Sequence, residues 1–230
     1  MNNIIGLIMC TWKRIERFKI TLDLLKNQKD KDFIFYVINN NINIKDEIEL
    51  IAKMYSEDLM INIIHNEINK GGFSRFDIAK TLVDKHEIFV IIDDDQVFSE
   101  DMISIFRDKY NPNAVKSRWA FRFGDRYYHR ERIFINDVDV AYCGTGGMVL
   151  PSKVFLCDEL YKIPDKYLFI EDLWLSYIAN YYLNLELKSI GNSDSFIYQV
   201  VDGKDQSTFD RIPLKDELLQ YLRNERGWNK

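Results

Sequence analysis

Three consecutive carboxylates, Asp93-Asp94-Asp95, leave the apolar run Val90-Ile91-Ile92 together. One acid there is a turn ending a strand; three adjacent like charges repel unless something positive sits among them. Strand alternation sends Asp93 and Asp95 to one side and Asp94 to the other. Two carboxylates on one side suit a hard divalent cation, Mg²⁺ or Mn²⁺, with phosphate oxygens completing the shell. A second acidic pair, Glu171-Asp172, opens an aromatic stretch. Asp172 reads either as a helix N-cap or as a general base.

Other segments have the residue types to hold an anion. Thr11-Trp12-Lys13-Arg14 follows an apolar run, and Lys13 and Arg14 there either face a diphosphate or belong to a solvated loop. Asn69-Lys70-Gly71-Gly72 is a turn, with Arg75 one helical turn later and within reach of Asp77 or another acid. Gly144-Thr145-Gly146-Gly147 puts three glycines in four residues, which permits close backbone approach to a ligand. It is neither GxxxxGK[ST] nor GxGxxG. Between Arg118 and Arg132, five arginines alternate with Trp119, Tyr127, Tyr128 and His129, as a solvated hairpin face or an anion- or sugar-binding flap.

The elements that must position these residues are legible from periodicity. The apolar run at 4–10 reads as a strand buried on both faces, and those at 33–38, 61–64 and 88–92 as further strands. Helical stripes lie between them: Ile15, Phe18, Leu22 and Leu25; Ile48, Ile51, Ala52 and Tyr55; Phe73, Phe76, Ala79, Leu82 and Val83. Ser99 caps a further helix carrying Met102, Ile103, Phe106 and Tyr110. Strand, helix, strand, helix predicts a doubly wound α/β sheet, whose ligands bind beyond the carboxyl ends of the strands. The second half is less regular. Residues 115–123 and 132–141 read as strands, Leu173 to Tyr181 as the inner face of a helix, and 213–224 as a terminal amphipathic helix.

Composition narrows the function. The 230 residues are 47% hydrophobic and 29% charged, enough for a buried core, and four prolines with ten glycines leave no linker, so one domain is expected, with halves at 1–110 and 111–230. A net charge of −5 gives no global reason to bind nucleic acid or an anionic membrane. No apolar run approaches the roughly 20 residues of a transmembrane helix. No leader pattern is visible at the start. Three cysteines without a CxxC argue against disulfides or structural zinc, leave Cys143 and Cys157 as small core residues, and point to a cytoplasmic location. Nothing in the sequence bears on oligomeric state.

Taken together, Asp93-x-Asp95 after a fourth strand and Asn69-Lys70-Gly71-Gly72-Phe73-Ser74-Arg75 resemble the motifs of GT-A fold glycosyltransferases of the family-2 type, rhamnosyl- and galactofuranosyltransferase-like members in particular. The resemblance covers roughly residues 4–185. It implies a GT-A fold, with a Rossmann-like, mostly parallel sheet, and transfer of a sugar from a UDP- or dTDP-type donor to a glycan, lipid-linked or protein-linked acceptor. It implies that Thr11 and Arg14 contact the base and diphosphate, and that Asn69, Arg75 and Asp94 line the donor pocket. Asp93 would face ribose or metal, Asp95 the metal, and Gly146 and Gly147 the donor sugar. Within the Glu171-Asp172 pair, Asp172 would be the base of an inverting reaction. Asn40 or Asn41 stands where a base-reading Asp is usual, and an amide both donates and accepts. The family's late His ligand has no counterpart, since His65, His86 and His129 all precede Glu171; Asp194, Asp202 or a water is left for that place. Two other readings remain: a haloacid-dehalogenase-like phosphatase using Asp93 and Asp95, and a non-catalytic nucleotide-sugar- or glycan-binding module.

Overall fold

The computed structural model describes residues 4–191, 196–200 and 211–230. The elements run β1 (Ile5–Thr11), α1 (Ile15–Lys26), β2 (Phe33–Asn39), α2 (Lys45–Lys53), β3 (Ile61–His65), α3 (Ser74–Lys80), β4 (Ile88–Asp93), β5 (Gln96–Phe98) and α4 (Met102–Lys109). They continue as β6 (Ala114–Ser117), β7 (Ala120–Arg122), β8 (Glu131–Arg132), β9 (Tyr142–Cys143), β10 (Met148–Pro151), α5 (Glu171–Tyr177), β11 (Glu186–Ser189), β12 (Ile197–Gln199) and α6 (Ile212–Asn224). A seven-stranded sheet has the order β11-β6-β10-β4-β1-β2-β3. β1 is parallel to β2 and β4, β2 to β3, and β6 to β11; only β10 runs antiparallel to its neighbours.

Period-two alternation splits the core into two layers. Leu7, Met9, Phe35, Val37, Val90 and Ile92 meet Phe18, Leu22 and Leu25 of α1, Ile48 of α2, and Met102, Ile103 and Phe106 of α4. Ile8, Tyr36, Ile38, Phe89 and Ile91 face the other way, onto Phe76 of α3, Trp174 of α5 and the α6 leucines 218, 219 and 222. Each such side chain contributes about 1.5–3 kcal/mol on burial. A one-residue slip in any central strand would exchange the two layers, so the register is strongly specified.

That register builds the site. Because β1, β2 and β4 are parallel, their carboxyl ends share one rim, where Thr11 lies opposite Asn39 and Cys10 opposite Asp93. Antiparallel β10 starts at that rim: the Gly147 N–H donates to the Ile91 carbonyl at 2.8 Å. The glycine turn is thereby laid beside Asp93.

Several boundaries differ from the expectation. Residues 133–141 form no extended strand; Asp137 takes a left-handed φ of 60°, and only an isolated bridge joins Asp139 to Lys188. The helix foreseen from Ser99 begins at Met102; Ser99 accepts the Asp101 N–H on its hydroxyl at 3.4 Å and the Met102 N–H on its carbonyl at 3.2 Å. The Phe73–Val83 stripe is α3 flanked by a 3-10 turn over Gly71–Phe73, and α5 runs into a π turn over Ile178–Tyr182. Among the described residues no helix is long and apolar enough to cross a membrane.

Candidate active site

The chain leaves β4 at Asp93 and turns directly into β5, so alternation stops there and Asp94 and Asp95 lie in a turn. Alternation therefore no longer fixes which way Asp94 and Asp95 point. Arg14, the residue before α1, donates from Nη1 to Asp94 Oδ1 at 2.6 Å and lies 3.5 Å from Asp95 Oδ2. Asp93 Oδ1 instead accepts from Arg75 Nη1 at 3.0 Å. Gln199 of β12 donates to Asp95 Oδ2 at 3.1 Å, and the Val200 N–H to the Asp95 carbonyl at 2.7 Å. Burial, and then the nearby charge of Asp93, push the Asp95 carboxyl up to about 6, against the pull of Gln199 and Arg14. Burial likewise raises Asp94, with Arg14 opposing.

Arg75 is the joint between the two acidic motifs. It is 5% exposed. Its Nε donates to the Gly72 carbonyl at 2.9 Å, its Nη1 to Asp93, and its Nη2 to Glu171 Oε1 at 3.2 Å. Asp77, its alternative partner from the sequence, is taken by Lys70. A side chain at Gly72 would overlap both Glu171 Oε1 and Arg75 Nη2, so the turn there must be glycine. Burial raises the pKa of Glu171 even though Arg75 opposes it.

Asp172 is held from three directions. Its Oδ1 accepts the Leu173 N–H at 2.9 Å. Its Oδ2 accepts from Lys215 Nζ at 2.8 Å and from the Tyr142 hydroxyl, and Lys215 also reaches Tyr142 Oη at 3.2 Å. Burial alone would raise Asp172, but Lys215 and Tyr142 outweigh it and hold its pKa below the ordinary aspartate value. Burial and then Asp172 raise Tyr142 well above a free phenol, so it stays a donor. Lys215 and Tyr142 are absent from the sequence expectations. A signal existed for the first: Lys215 precedes Leu218, Leu219 and Leu222 by three, four and seven residues, which puts a cation on the buried stripe of α6.

The asparagines make hydrogen bonds that hold the loops. Asn40 donates to the Gly71 carbonyl at 2.9 Å, and its Oδ1 accepts from Asn66 and Ser74, each at 2.8 Å. Asn41 caps the turn at Asn43, and Asn69 Oδ1 accepts the Gly71 N–H at 2.7 Å. The Thr11 side chain is buried at the end of β1, where its hydroxyl, like Arg14, favours the ionised form of Asp94. The histidines pair elsewhere: His65 with Asn39 and Glu49, His86 with Tyr36 and the Ile4 carbonyl, His129 with Asp125. Asp194 and Asp202 lie outside the described residues.

Among the described residues the ion pairs of Asp93, Asp94, Asp95, Glu171 and Asp172 are with Arg14, Arg75 and Lys215. Asp93 and Asp95 fit a divalent ion as hard oxygen donors, one of them already strained toward protonation. Among the described residues no three His, Cys, Asp or Glu side chains converge as a ready-made cage.

Gly146 fits against the same carboxylate. An added Cβ would overlap Asp93 Oδ2 and come within 2.7 Å of Gln96 Nε2. Gly146→Ala is therefore expected to displace Asp93 and to cost the fold about 1–3 kcal/mol, the scale of overpacking a tight contact. Thermal denaturation measures it, and an unchanged melting temperature would show that no close contact is made there.

The sequence profile of Glycosyl transferase family 2 matches residues 7–155, well over half of the chain. The chain belongs to that family. Its fold is the GT-A fold. TarS 1–349 of S. aureus, in complex with UDP-GlcNAc, superposes with a TM-score of 0.64 at 17% identity, over 87% of this chain and 59% of that one. The mannosyltransferase PcManGT of Pyrobaculum calidifontis, with GDP-Man and Mn²⁺, gives 0.69 at 12% identity, over 98% and 65%. GalNAc-T7, with UDP, GalNAc and Mn²⁺, gives 0.64 at 10% identity, over 95% and 48%. The chain thus spans about three fifths of the length of TarS 1–349. No curated protein matches it in sequence.

Proposed function

We propose that this family-2 chain transfers a sugar from a nucleoside diphosphate sugar to an acceptor hydroxyl, with inversion and with Asp172 as base. The observation that carries the reading is the Arg75 bridge, which ties Asp93 at the end of β4 to Glu171 at the start of α5 and so sets the metal-type carboxylates and Asp172 in one rim. Family membership and three GT-A neighbours holding nucleotides or nucleotide sugars, two of them with Mn²⁺, support it. No observation favours the phosphatase reading.

Asp95, with Asp93, would hold Mn²⁺ or Mg²⁺, and that ion would neutralise the charge gathering on the departing diphosphate. The donor is taken to be of the UDP or dTDP type, and the acceptor a glycan, lipid-linked or protein-linked hydroxyl. Gly146 and Gly147 leave room for the donor sugar. Asp172 Oδ1 keeps a lone pair beyond its bond to Leu173 and takes the acceptor proton as the hydroxyl oxygen attacks the anomeric carbon. The bond from that carbon to the diphosphate oxygen breaks in the same displacement. Oδ2, filled by Lys215 and Tyr142, fixes the carboxylate. A thermal-shift screen of UDP-, dTDP- and GDP-sugars with and without Mn²⁺, followed by assay of released nucleotide, tests the reading. Stabilisation without release in every case would leave a binding module.

Two expectations concern pH. Lys215 lowers Asp172, so the base stays ionised well into acid; Lys215→Met removes that charge and should move the acidic limb of the rate profile to higher pH. An unmoved limb would separate Lys215 from the base. Asp95 must lose its proton to bind metal, and its carboxyl stands at about 6. Mn²⁺-dependent UDP affinity should therefore fall as pH drops from 7 to 5, and Asp95→Asn should abolish that dependence along with most of the affinity.

A further inference from the structure

The two edges of the seven-stranded sheet are finished differently. At one end β11 carries Glu186 and Lys188, and the chain from Asp137 to Val140 lies along its outer side. The Asp137 N–H donates to the Ser189 carbonyl, the Val140 N–H to the Leu187 carbonyl and the Ser189 N–H to the Val138 carbonyl, at 2.8, 2.9 and 3.0 Å. At the other end β3, Ile61-Asn62-Ile63-Ile64-His65, pairs with β2 alone among the described residues. Its bonds to β2 come from alternate residues. The Phe35 N–H donates to the Met60 carbonyl and the Asn66 N–H to the Asn39 carbonyl, both at 2.9 Å. Even-numbered residues therefore serve β2, and Ile61, Ile63 and His65 turn their N–H and C=O groups outward. Such an edge is a template for another strand unless Lys, Pro, a bulge or a covering segment blunts it. β11 has both a lysine and a cover. β3 has no Lys or Pro, pairs without a bulge, and is preceded by Met60, which is 56% exposed.

What fits this edge is set by the strand itself. The outward residues 61, 63 and 65 are symmetric about Ile63. A two-fold axis there lays the same strand antiparallel against it, with Ile63 opposite the partner's Ile63 and Ile61 opposite the partner's His65. Each facing pair then exchanges its N–H and C=O groups, about six ladder bonds in all. The side chains agree. Glu49 and Lys53, one turn apart on α2, line a shallow groove with Ile61 and Ile63. Glu49 stands at the His65 end of that groove, its Oε1 3.1 Å from His65 Nε2. The axis reverses the helix along with the strand, so Glu49 of one copy comes toward Lys53 of the other. Opposite charges meet there, and isoleucine meets isoleucine at the axis. We propose that two copies of this chain join through β3, antiparallel, into one continuous sheet. A closed two-fold uses the same patch on both copies and leaves no β3 edge open to a third. Nothing in it depends on glycosyl transfer.

Sedimentation velocity of the full chain across a wide range of concentration is the test. A species of twice 27.4 kDa is expected at the high end. Ile63→Lys sets two like charges face to face at the axis, and Lys53→Glu sets acid against acid. Each should weaken the dimer at least about tenfold. Glu49→Lys combined with Lys53→Glu exchanges the two charges and should restore the affinity, which a variant that merely harmed the fold would not do. Lys53 is exposed, so these charge variants carry the test even if Ile63→Lys does not fold. Amide exchange locates the contact: the Ile61, Ile63 and His65 N–H groups should gain protection as the dimer forms, while those of Asn62 and Ile64, already bonded to β2, stay as they are. A single 27.4 kDa species at every concentration overturns the proposal. So does a dimer that Lys53→Glu leaves untouched, or one in which those three amides exchange unchanged, since it joins through another face.

Discussion

Asp172→Asn is expected to bind UDP with Mn²⁺ as the unaltered protein does and to lose turnover by about 10²–10⁴-fold, the scale of a missing general base. The amide keeps the shape of the carboxylate, but its single oxygen can accept either from Leu173 or from Lys215 and Tyr142, and its NH2 then faces the remaining donors. What it loses is the ability to take a proton. Removing the charge leaves Lys215 buried, 7% exposed, without its carboxylate, so some stability goes too. Initial rates of nucleotide release must therefore be taken well below the melting temperature of the variant. Release at the native rate would mean that the acceptor proton goes elsewhere, and the base assignment would fall. Lys215→Met sharpens the comparison: it disturbs the same ion pair but leaves the carboxylate in place, so it should shift the pH profile without reproducing the full loss of rate.

Arg75→Met should cost the fold about 3–5 kcal/mol, the scale for breaking a buried ion pair from one side. The guanidinium serves Asp93, Glu171 and the Gly72 carbonyl at once, and Glu171 lies in the same buried space. Taking it away leaves Glu171 beside Asp172 with no cation of its own, since Lys215 is committed to Asp172. For a chain of this length the loss corresponds to a melting temperature lower by roughly 10 °C. Arg75→Lys keeps the charge but not the fork, so it should fall between the two. Adding Glu171→Gln to Arg75→Met should restore part of the stability by removing the stranded charge, a coupling that a double-mutant cycle reads. A melting point within about 2 °C of native for Arg75→Met would show that the bridge holds nothing together.

Much of the fold was legible because its signals are local. The runs at 5–11, 33–39 and 88–93 are apolar on both faces, and only a strand covered on both sides makes use of that. The stripes of α1, α2 and α6 repeat at helical spacing for the same reason. The segment from 132 to 141 was misread because its alternation is interrupted by Asp137, whose left-handed backbone ends any strand. The directions of Asp94 and Asp95 were not legible for a similar reason: alternation holds only while the chain stays extended, and the turn into β5 begins at Asp94.

The identity of the chemistry-bearing residues, the two acidic motifs and the glycine turns was determined by the sequence alone, because residue type and spacing within a strand end or a helix turn are local properties. Their partners were decided only by tertiary structure. Arg75 lies 18 residues from Asp93 and 96 from Glu171, and Lys215 lies 43 from Asp172. Which cation answers which carboxylate depends on parallel strands ending at one rim and on α6 folding back across α5. No spacing in the chain encodes that, because charge pairs across such separations are chosen by the packing of the layers that carry them.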